Sequence, residues 1–334
     1  MSPTVSVLMS VYNGERYLYA SIDSILKQRF SDFEFIIIDD CCTDNSAKII
    51  KTFNDKRIVY VKNDVNLGLT LSLNKGLNQC RGKYIARIDA DDISVPHRLK
   101  MQVQFLDQSD YIMIGSWVYI INEDNKVVSK KKLLTKCMDI RYKLLFRNSF
   151  IHSTVMYRRD VVLKLNGYDP NYLSTEDYEL WSRLSRIGNI GNIPKYLVYW
   201  REHSQNISST TSSVQVDYTK RISYENQKVI MKDRQLSTAL SEDDFSLSIR
   251  LVDDFFEYFK YPDEIKQKFI DDVYLSYCER NVFLKDYSVL DVLDKRLLIN
   301  WKNLLIIFRI IVKKTVGRHI SDLIRRILII KNRA

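Results

Sequence analysis

Three carboxylates within four positions, Asp89, Asp91 and Asp92, directly follow the short, mostly apolar run Tyr84-Ile85-Ala86-Arg87-Ile88. A run of that kind suits a strand buried on both faces. In open α/β sheets, ligands bind just beyond the carboxyl ends of such strands. Acids clustered there repel one another, and a divalent cation would relieve the repulsion. Mg2+ and Mn2+ favour carboxylate oxygens and share them with substrate phosphates. The stretch therefore points to a metal-diphosphate site, the alternative being a solvated acidic loop ahead of a helix with Pro96 near its first turn.

The elements that must position these acids alternate between strand and helix patterns over the first 120 residues. Strands are predicted at Val5–Val11, Phe35–Ile38, Ile58–Val61 and Tyr84–Ile88. Helices are predicted at Glu15–Gln28, Asn45–Phe53 and Leu69–Cys80, where Leu73, Leu77 and Cys80 share one face. Such alternation implies a parallel, doubly wound sheet. The loops after the first two strands, Ser10 to Glu15 and Asp39 to Ser46, then share one sheet edge with Asp89–Asp92, offering an aromatic face, carboxylates and hydroxyls to a nucleoside. Later segments predict a helix from His97, a strand at Tyr111–Ile121, a turn at Asn122–Asn125, a helix at Asp139–Phe146, an extended Thr154–Tyr157, a helix at Glu176–Ile187 and a strand at Tyr196–Trp200. Residues 204–213 are rich in Ser, Thr and Asn and suit a linker. The remainder reads as mainly helical.

The 334 residues can bury a full core as one large domain with an appendage or as two domains. Five cysteines with no CxxC pair argue against a zinc ribbon or a disulfide framework and suit a reducing compartment. Met1-Ser2-Pro3-Thr4 does not read as a signal peptide, and no uncharged run reaches the roughly 20 residues of a membrane span. A cytoplasmic chain is expected. The net charge of +10 is concentrated at one end: residues 295–334 hold eleven Lys and Arg against the single acid Asp322. That asymmetry weakens a nucleic-acid reading. No Gly-x-Gly-x-x-Gly or Walker-type loop supports a Rossmann cofactor or a P-loop nucleotide.

Five short stretches in order resemble the family 2 glycosyltransferases: Val5 to Glu15, Asp39-Asp40-x-x-Thr43-Asp44, Asn66-x-Gly68-Leu69, Gly82 to Asp92, and Thr175-Glu176-Asp177-Tyr178-Glu179-Leu180-Trp181. Each is weak alone; their order on compatible elements carries the resemblance, which ends near residue 210. It implies an α/β GT-A (Rossmann-like) fold for residues 1–210; the C-terminal helical region, 211–294, and the basic tail, 295–334, are read from the sequence pattern alone. It also implies inverting transfer of a sugar from a UDP-sugar donor to an acceptor hydroxyl. Ser10, Tyr12 and Asp40 would line base and ribose, with Glu15 on the donor side, Asp40 reading the uracil edge and Asp89 reaching ribose or the metal shell. Asp91 would hold Mn2+ or Mg2+ against the diphosphate, and His203 would contact phosphate or metal. His152 falls near the expected acceptor, with a hydrogen-bonded structural histidine as the alternative. Asp177 is the expected general base, with Glu176 touching acceptor or orienting the loop. The competing role for Asp177 is a capping box with Ser174.

The family usually has Gly-Ser where this chain has Cys41-Cys42. Glycine permits positive φ there, so a cysteine is expected only if the turn is less demanding; both thiols read as structural. The tail, with Lys302 and Arg309 interrupting an apolar run and a similar pattern at Ile320–Ile330, reads as a basic amphipathic anchor for an anionic membrane, or as a packed helical cap. As an anchor it would place the protein at the inner face of the plasma membrane and favour a lipid-linked glycan acceptor in surface polysaccharide assembly. Two other functions fit less well: a sugar-1-phosphate nucleotidyltransferase, which would carry a glycine-rich basic loop after the first strand, and a non-catalytic membrane scaffold.

Overall fold

Four strands whose residues are almost wholly apolar pair side by side at the start of the chain. The computed structural model describes residues 2–203, 212–231, 245–262, 265, 266 and 269. Strands β1 (Val5–Val11), β2 (Phe33–Asp39), β3 (Ile58–Lys62) and β4 (Tyr84–Arg87) are parallel in the order β3-β2-β1-β4. Helices α1 (Glu15–Leu26), α2 (Ser46–Thr52) and α3 (Leu69–Gln79) connect them. Both faces of β1, β2 and β4 are covered, which is why these strands carry no polar alternation. One core gathers Val5, Val7, Met9, Phe35 and Ile37 with Leu18 and Ile22 of α1. The other gathers Leu8, Ile36 and Ile38 with Leu73 and Leu77 of α3 and Trp181.

Past β4 the sheet is mixed rather than parallel. It continues through β8 (Met156–Arg158), β6 (Tyr111–Ile121), β9 (Asn189–Arg201) and the two-residue β5 (Ile93–Ser94), with β7 (Val127–Lys131) pairing β6. β8 runs antiparallel to β4 and to β6, whereas β9 runs parallel to β6. The doubly wound expectation therefore holds for the first four strands alone. β9 also begins at Asn189, before the predicted Tyr196. Gly191 and Pro194 argue against a strand in sequence. Register shifts near Ser116 and Trp117 of β6 let it pair with this stretch nonetheless. β7 carries no apolar alternation that would have announced it.

The remaining helices are α4 (Arg98–Asp107), α5 (Cys137–Lys143), α6 (Arg159–Lys164), α7 (Glu176–Ile187), α8 (Ser212–Ile230) and α9 (Phe245–Tyr258), with a 3-10 turn at His152–Thr154. The chain forms two units, residues 1–239 and 240–334. The first thus reaches past residue 210 to include α8, which is tied down by Asn226 Nδ2 donating to Leu144 O (2.7 Å) and Tyr172 OH donating to Glu225 (2.6 Å). In the second, Phe255, Phe256 and Phe269 pack together. Of the expected linker at 204–213, residues 204–211 lie outside the described residues, as does the basic tail from 295 to 334, and Ser212 and Ser213 belong to α8.

Candidate active site

The loops after β1, β2 and β4 meet at the C-terminal sheet edge, where the strand order reverses between β1 and β4. The first two are stitched together. Glu15 Oε2 accepts from both the backbone N–H and the side-chain amide of Asn45 (2.9 and 2.8 Å), and Asp44 accepts from Glu15 N–H (3.0 Å). Gly14 N–H donates to Ser46 Oγ at 2.9 Å. Glu15 is thus occupied as a brace between loops. Ser10 is buried at the end of β1, whereas Tyr12 is 54% exposed, leaving its ring free for a base.

Asp40 is buried and largely committed. Oδ1 accepts from Asn63 Nδ2 and from Leu67 N–H (both 2.8 Å), and Oδ2 accepts from Gly68 N–H (2.9 Å). A carboxylate has about four lone-pair sites, so one remains on Oδ2 for a donor such as the uracil imide. Gly68, at φ 82°, provides the turn that brings these amides to Asp40. Its neighbour Asp39 points inward and accepts from Tyr60 OH and Cys42 N–H.

Cys41 sits at φ 62°, in the left-handed region. The turn is therefore as demanding as one built on glycine, contrary to expectation, and cysteine adopts it at a cost of about 1–2 kcal/mol. Burial, reinforced by Asp39, pushes the Cys42 thiol up to about 12, so it stays protonated and structural.

The three clustered acids separate into distinct roles. Asp89 is gripped by Arg87 Nη2 (2.5 Å) and Ser153 Oγ (2.6 Å), and its own N–H donates to Ser153. Burial alone would raise its pKa, but Arg87 and Ser153 hold it below the usual carboxylate range. Asp92 is buried, with Oδ1 accepting from Arg201 N–H (2.8 Å) and Oδ2 unpaired. Burial and its acidic neighbours push the Asp92 carboxyl well above the usual carboxylate range. Asp91 stays 30% exposed at the side chain and meets His203 Nε2 at 2.9 Å.

Arg201 assembles that corner. Its Nε donates to Asp91 O (2.8 Å), its guanidinium lies 4.3 Å from the Tyr17 ring centroid, and His203 packs on the same ring at 5.2 Å. Asp91 and His203 form a carboxylate-imidazole pair open on one side. Among the described residues no three His, Cys, Asp or Glu side chains gather into a closed cage. Such an open pair fits Mn2+ or Mg2+, which keep positions for water and substrate phosphate.

Across the site, Glu176 and Asp177 open α7. Glu176 is buried with Oε2 unpaired, and burial with the adjacent Asp177 raises it to about 8. Asp177 is half-buried. Its Oδ1 accepts from Tyr178 N–H (2.6 Å) and its Oδ2 from Asn148 Nδ2 (2.7 Å). Burial foremost, aided by repulsion from Asp89, lifts it to about 6. At neutral pH the pair therefore holds a protonated Glu176 beside an ionised Asp177. The capping box does not form: Thr175 is the N-cap, it makes no side-chain capping bond, and Ser174 stands at φ 59°. His152 donates to or accepts from Tyr168 OH at 2.9 Å and packs on Trp181. Burial and Arg87 lower it to about 3, so it is a neutral, hydrogen-bonded structural histidine.

A model of glycosyl transferase family 2 matches residues 6–165. An uncharacterized glycosyltransferase of Haemophilus influenzae is 35% identical over 67% of this chain and 73% of its own length. The O-antigen biosynthesis glycosyltransferase WbnJ of Escherichia coli is 34% identical over 71% of this chain and 92% of its own. The chain belongs to glycosyl transferase family 2. A further relative of this glycosyltransferase, 32% identical over 57% of the chain and 72% of its own, is the E. coli UDP-Glc:alpha-D-GlcNAc-diphosphoundecaprenol beta-1,3-glucosyltransferase WfgD.

Solved structures agree on the GT-A fold. S. aureus TarS 1–349 in complex with UDP-GlcNAc superposes with TM-score 0.58 at 18% identity, covering 84% of this chain and 81% of TarS 1–349. The mannosyltransferase PcManGT from Pyrobaculum calidifontis, in complex with GDP-Man and Mn2+, superposes at 0.52 with 12% identity, covering 96% and 89%. The enzyme is a family 2 glycosyltransferase with this fold.

Four residues that hold this transferase's site carry no individual role from sequence: Arg87, Asn148, Ser153 and Arg201, the last read only as part of the 200–203 stretch that resembles a family segment closing over the diphosphate. Arg87 had a visible signal, a cation inside a strand that is otherwise apolar. The other three lie in irregular segments or at a strand end, where spacing carries no information about what they touch.

Proposed function

We propose that this glycosyltransferase moves a hexose from a UDP-sugar to a hydroxyl of a lipid-linked glycan, with inversion at the anomeric carbon. The observation that carries the reading is Asp177: one ionised, partly exposed carboxylate, anchored by Asn148 and Tyr178, next to a carboxyl that burial keeps protonated. A single base on the acceptor side suits a single displacement. The acceptor hydroxyl gives its proton to Asp177, the acceptor oxygen bonds to C1, and the bond from C1 to the UDP oxygen breaks on the opposite face. An α-linked D-sugar donor then yields a β-glycoside.

Tyr12 and Ser10 offer the base a face and an edge, and Asp40 has one acceptor site left for the imide N–H. Asp89, fixed by Arg87 and Ser153, is assigned the ribose. Asp91 and His203 would hold Mn2+ or Mg2+. The ion would offset charge on the departing diphosphate. WfgD is named for a UDP-Glc donor and a diphosphoundecaprenol-linked acceptor, which supports both substrate classes here. Membership of the family removes the nucleotidyltransferase alternative. Residues 295–334, with their net charge of +10, are proposed to hold the enzyme at the inner face of the plasma membrane.

The test is a panel of UDP-sugars with lipid-linked acceptors, scored for UDP release and for the anomeric configuration of the product by NMR. Transfer from one UDP-sugar with inverted configuration is expected. Use of GDP-sugars alone, or a retained configuration, would overturn the donor or the mechanism respectively.

A further inference from the structure

We propose that the outer face of the β6–β7–β9 corner is a docking surface for anionic phospholipid headgroups, separate from residues 295–334. Residues 126–136 contain five lysines and no acid. Lys130, Lys131 and Lys132 are exposed, and among the described residues none takes a carboxylate partner. Instead each ammonium lies over an aromatic ring. Lys130 is 5.4 Å from the ring centre of Tyr119 and 5.7 Å from that of Tyr196. Lys132 is 5.3 Å from Trp117, and Lys131 is 5.4 Å from Trp200.

The rings under Lys130 and Lys132 form a ladder on one face of the sheet, while Lys131 and Trp200 alternate to the opposite face. Trp117 meets Tyr196 at 5.2 Å, Tyr196 stacks on Tyr119 at 4.9 Å, and Tyr119 stacks on Tyr199 at 4.9 Å. The rungs are cross-strand neighbours, since Trp117 pairs with Tyr196 and Tyr119 with Tyr199 in the β6–β9 register. Beside them, Val127 and Val128 are 48% and 58% exposed on β7. Lysines on an edge strand also guard against strand-to-strand aggregation, but that purpose gives no reason for two neighbouring exposed valines. Exposed aliphatic side chains, amphipathic Tyr and Trp rings at half depth, and unpaired cations above them are together the chemistry of a headgroup interface.

The same hairpin is wired to the catalytic corner. Arg201, which donates to Asp91 O, also donates to Asn122 O (2.8 Å) and Asn125 Oδ1 (2.6 Å) in the β6–β7 turn. A surface seated on lipid through β7 would therefore hold the Asp91 loop at a set height above the headgroups, within reach of an acceptor that is anchored in the same leaflet.

The experiment uses the full chain, so the tail is constant, and sedimentation with phosphatidylcholine vesicles that contain or lack phosphatidylglycerol. Lys130→Gln/Lys131→Gln/Lys132→Gln is compared with Lys100→Gln/Lys164→Gln/Lys220→Gln, three exposed lysines on helices. Each lysine at an anionic surface contributes about 1 kcal/mol, so the hairpin variant should bind phosphatidylglycerol vesicles at least about tenfold, and up to about a hundredfold, more weakly. The helix variant should change by less than about threefold. Equal loss in both variants, no loss in the hairpin variant, or an intact chain that ignores the vesicles would overturn the proposal. Loss of binding to soluble polygalacturonate with vesicle binding unchanged would reassign the surface to an acidic glycan. Self-association of the hairpin variant with unchanged vesicle binding would make the lysines edge guards only. Transfer to a detergent-free soluble acceptor should be the same in all three proteins, so failure of docking and failure of the proposed transfer are read separately.

Discussion

Replacing Asp177 by Asn tests the assignment on which the mechanism rests. The carboxylate accepts two bonds, from Tyr178 N–H and from Asn148 Nδ2, one on each oxygen. An Asn side chain has one acceptor oxygen, so one of these donors loses its partner, at about 1–3 kcal/mol. The opposing effect comes from charge. Burial has raised Asp177 from 3.8 to about 6, so the folded protein disfavours its ionised form, and each unit is worth about 1.4 kcal/mol. Neutralising the site relieves a cost of similar size, and the net change in stability is expected to stay within about 1 kcal/mol. Catalysis has no such compensation, because the amide cannot take a proton from the acceptor. General-base assistance is worth about 10²–10⁴ in rate. Asp177→Asn should therefore melt near the wild type, bind UDP-sugar with unchanged affinity in calorimetry, and turn over at least about a hundredfold more slowly. The pH profile gives an independent check. Only the ionised base works, so the wild-type kcat should fall about tenfold per unit as pH drops below about 6, and this acid limb should vanish in the variant. Turnover within about threefold of wild type, with donor binding intact, would refute the assignment.

Two further outcomes follow from the same site. Asp91→Ala removes a carboxylate whose side chain meets His203, so it should abolish transfer while leaving the thermal melt unchanged; EDTA should do the same to the wild type, reversibly with Mn2+ or Mg2+, and full activity of the chelated enzyme would sink the metal role. Cys41→Gly should raise the stability measured in urea by about 0.5–1 kcal/mol, because glycine takes φ 62° without the side-chain penalty although it loses more chain entropy on folding; destabilisation would mean that the thiol contributes packing that its 3.5 Å contact with Asp64 O does not convey.

The near-continuous apolar runs of β1, β2 and β4 were legible because both of their faces are covered, and helical spacing marked α1, α3 and α7 for the same reason in reverse. Local sequence also placed Asp40, Asp91 and Asp177 at element ends, where a change from apolar run to acid is conspicuous. What each carboxylate does there was not legible. Asp89, Asp91 and Asp92 are near neighbours in the chain, yet one is held ionised by Arg87 and Ser153, one stays partly exposed beside His203, and one is buried with its carboxyl pushed well up. Apart from Arg87, two positions from Asp89, the partners that set those differences lie 64 to 112 positions away. The same holds for β7 and for the first half of β9, which exist because β6 offers them hydrogen bonds and not because their own residues alternate. Residue types and periodicity decide which segments bury a face, since that depends on the segment alone. Charge state, turn conformation and the assignment of one acid as base depend on burial and on donors from distant segments, and these come into being only when the sheet closes.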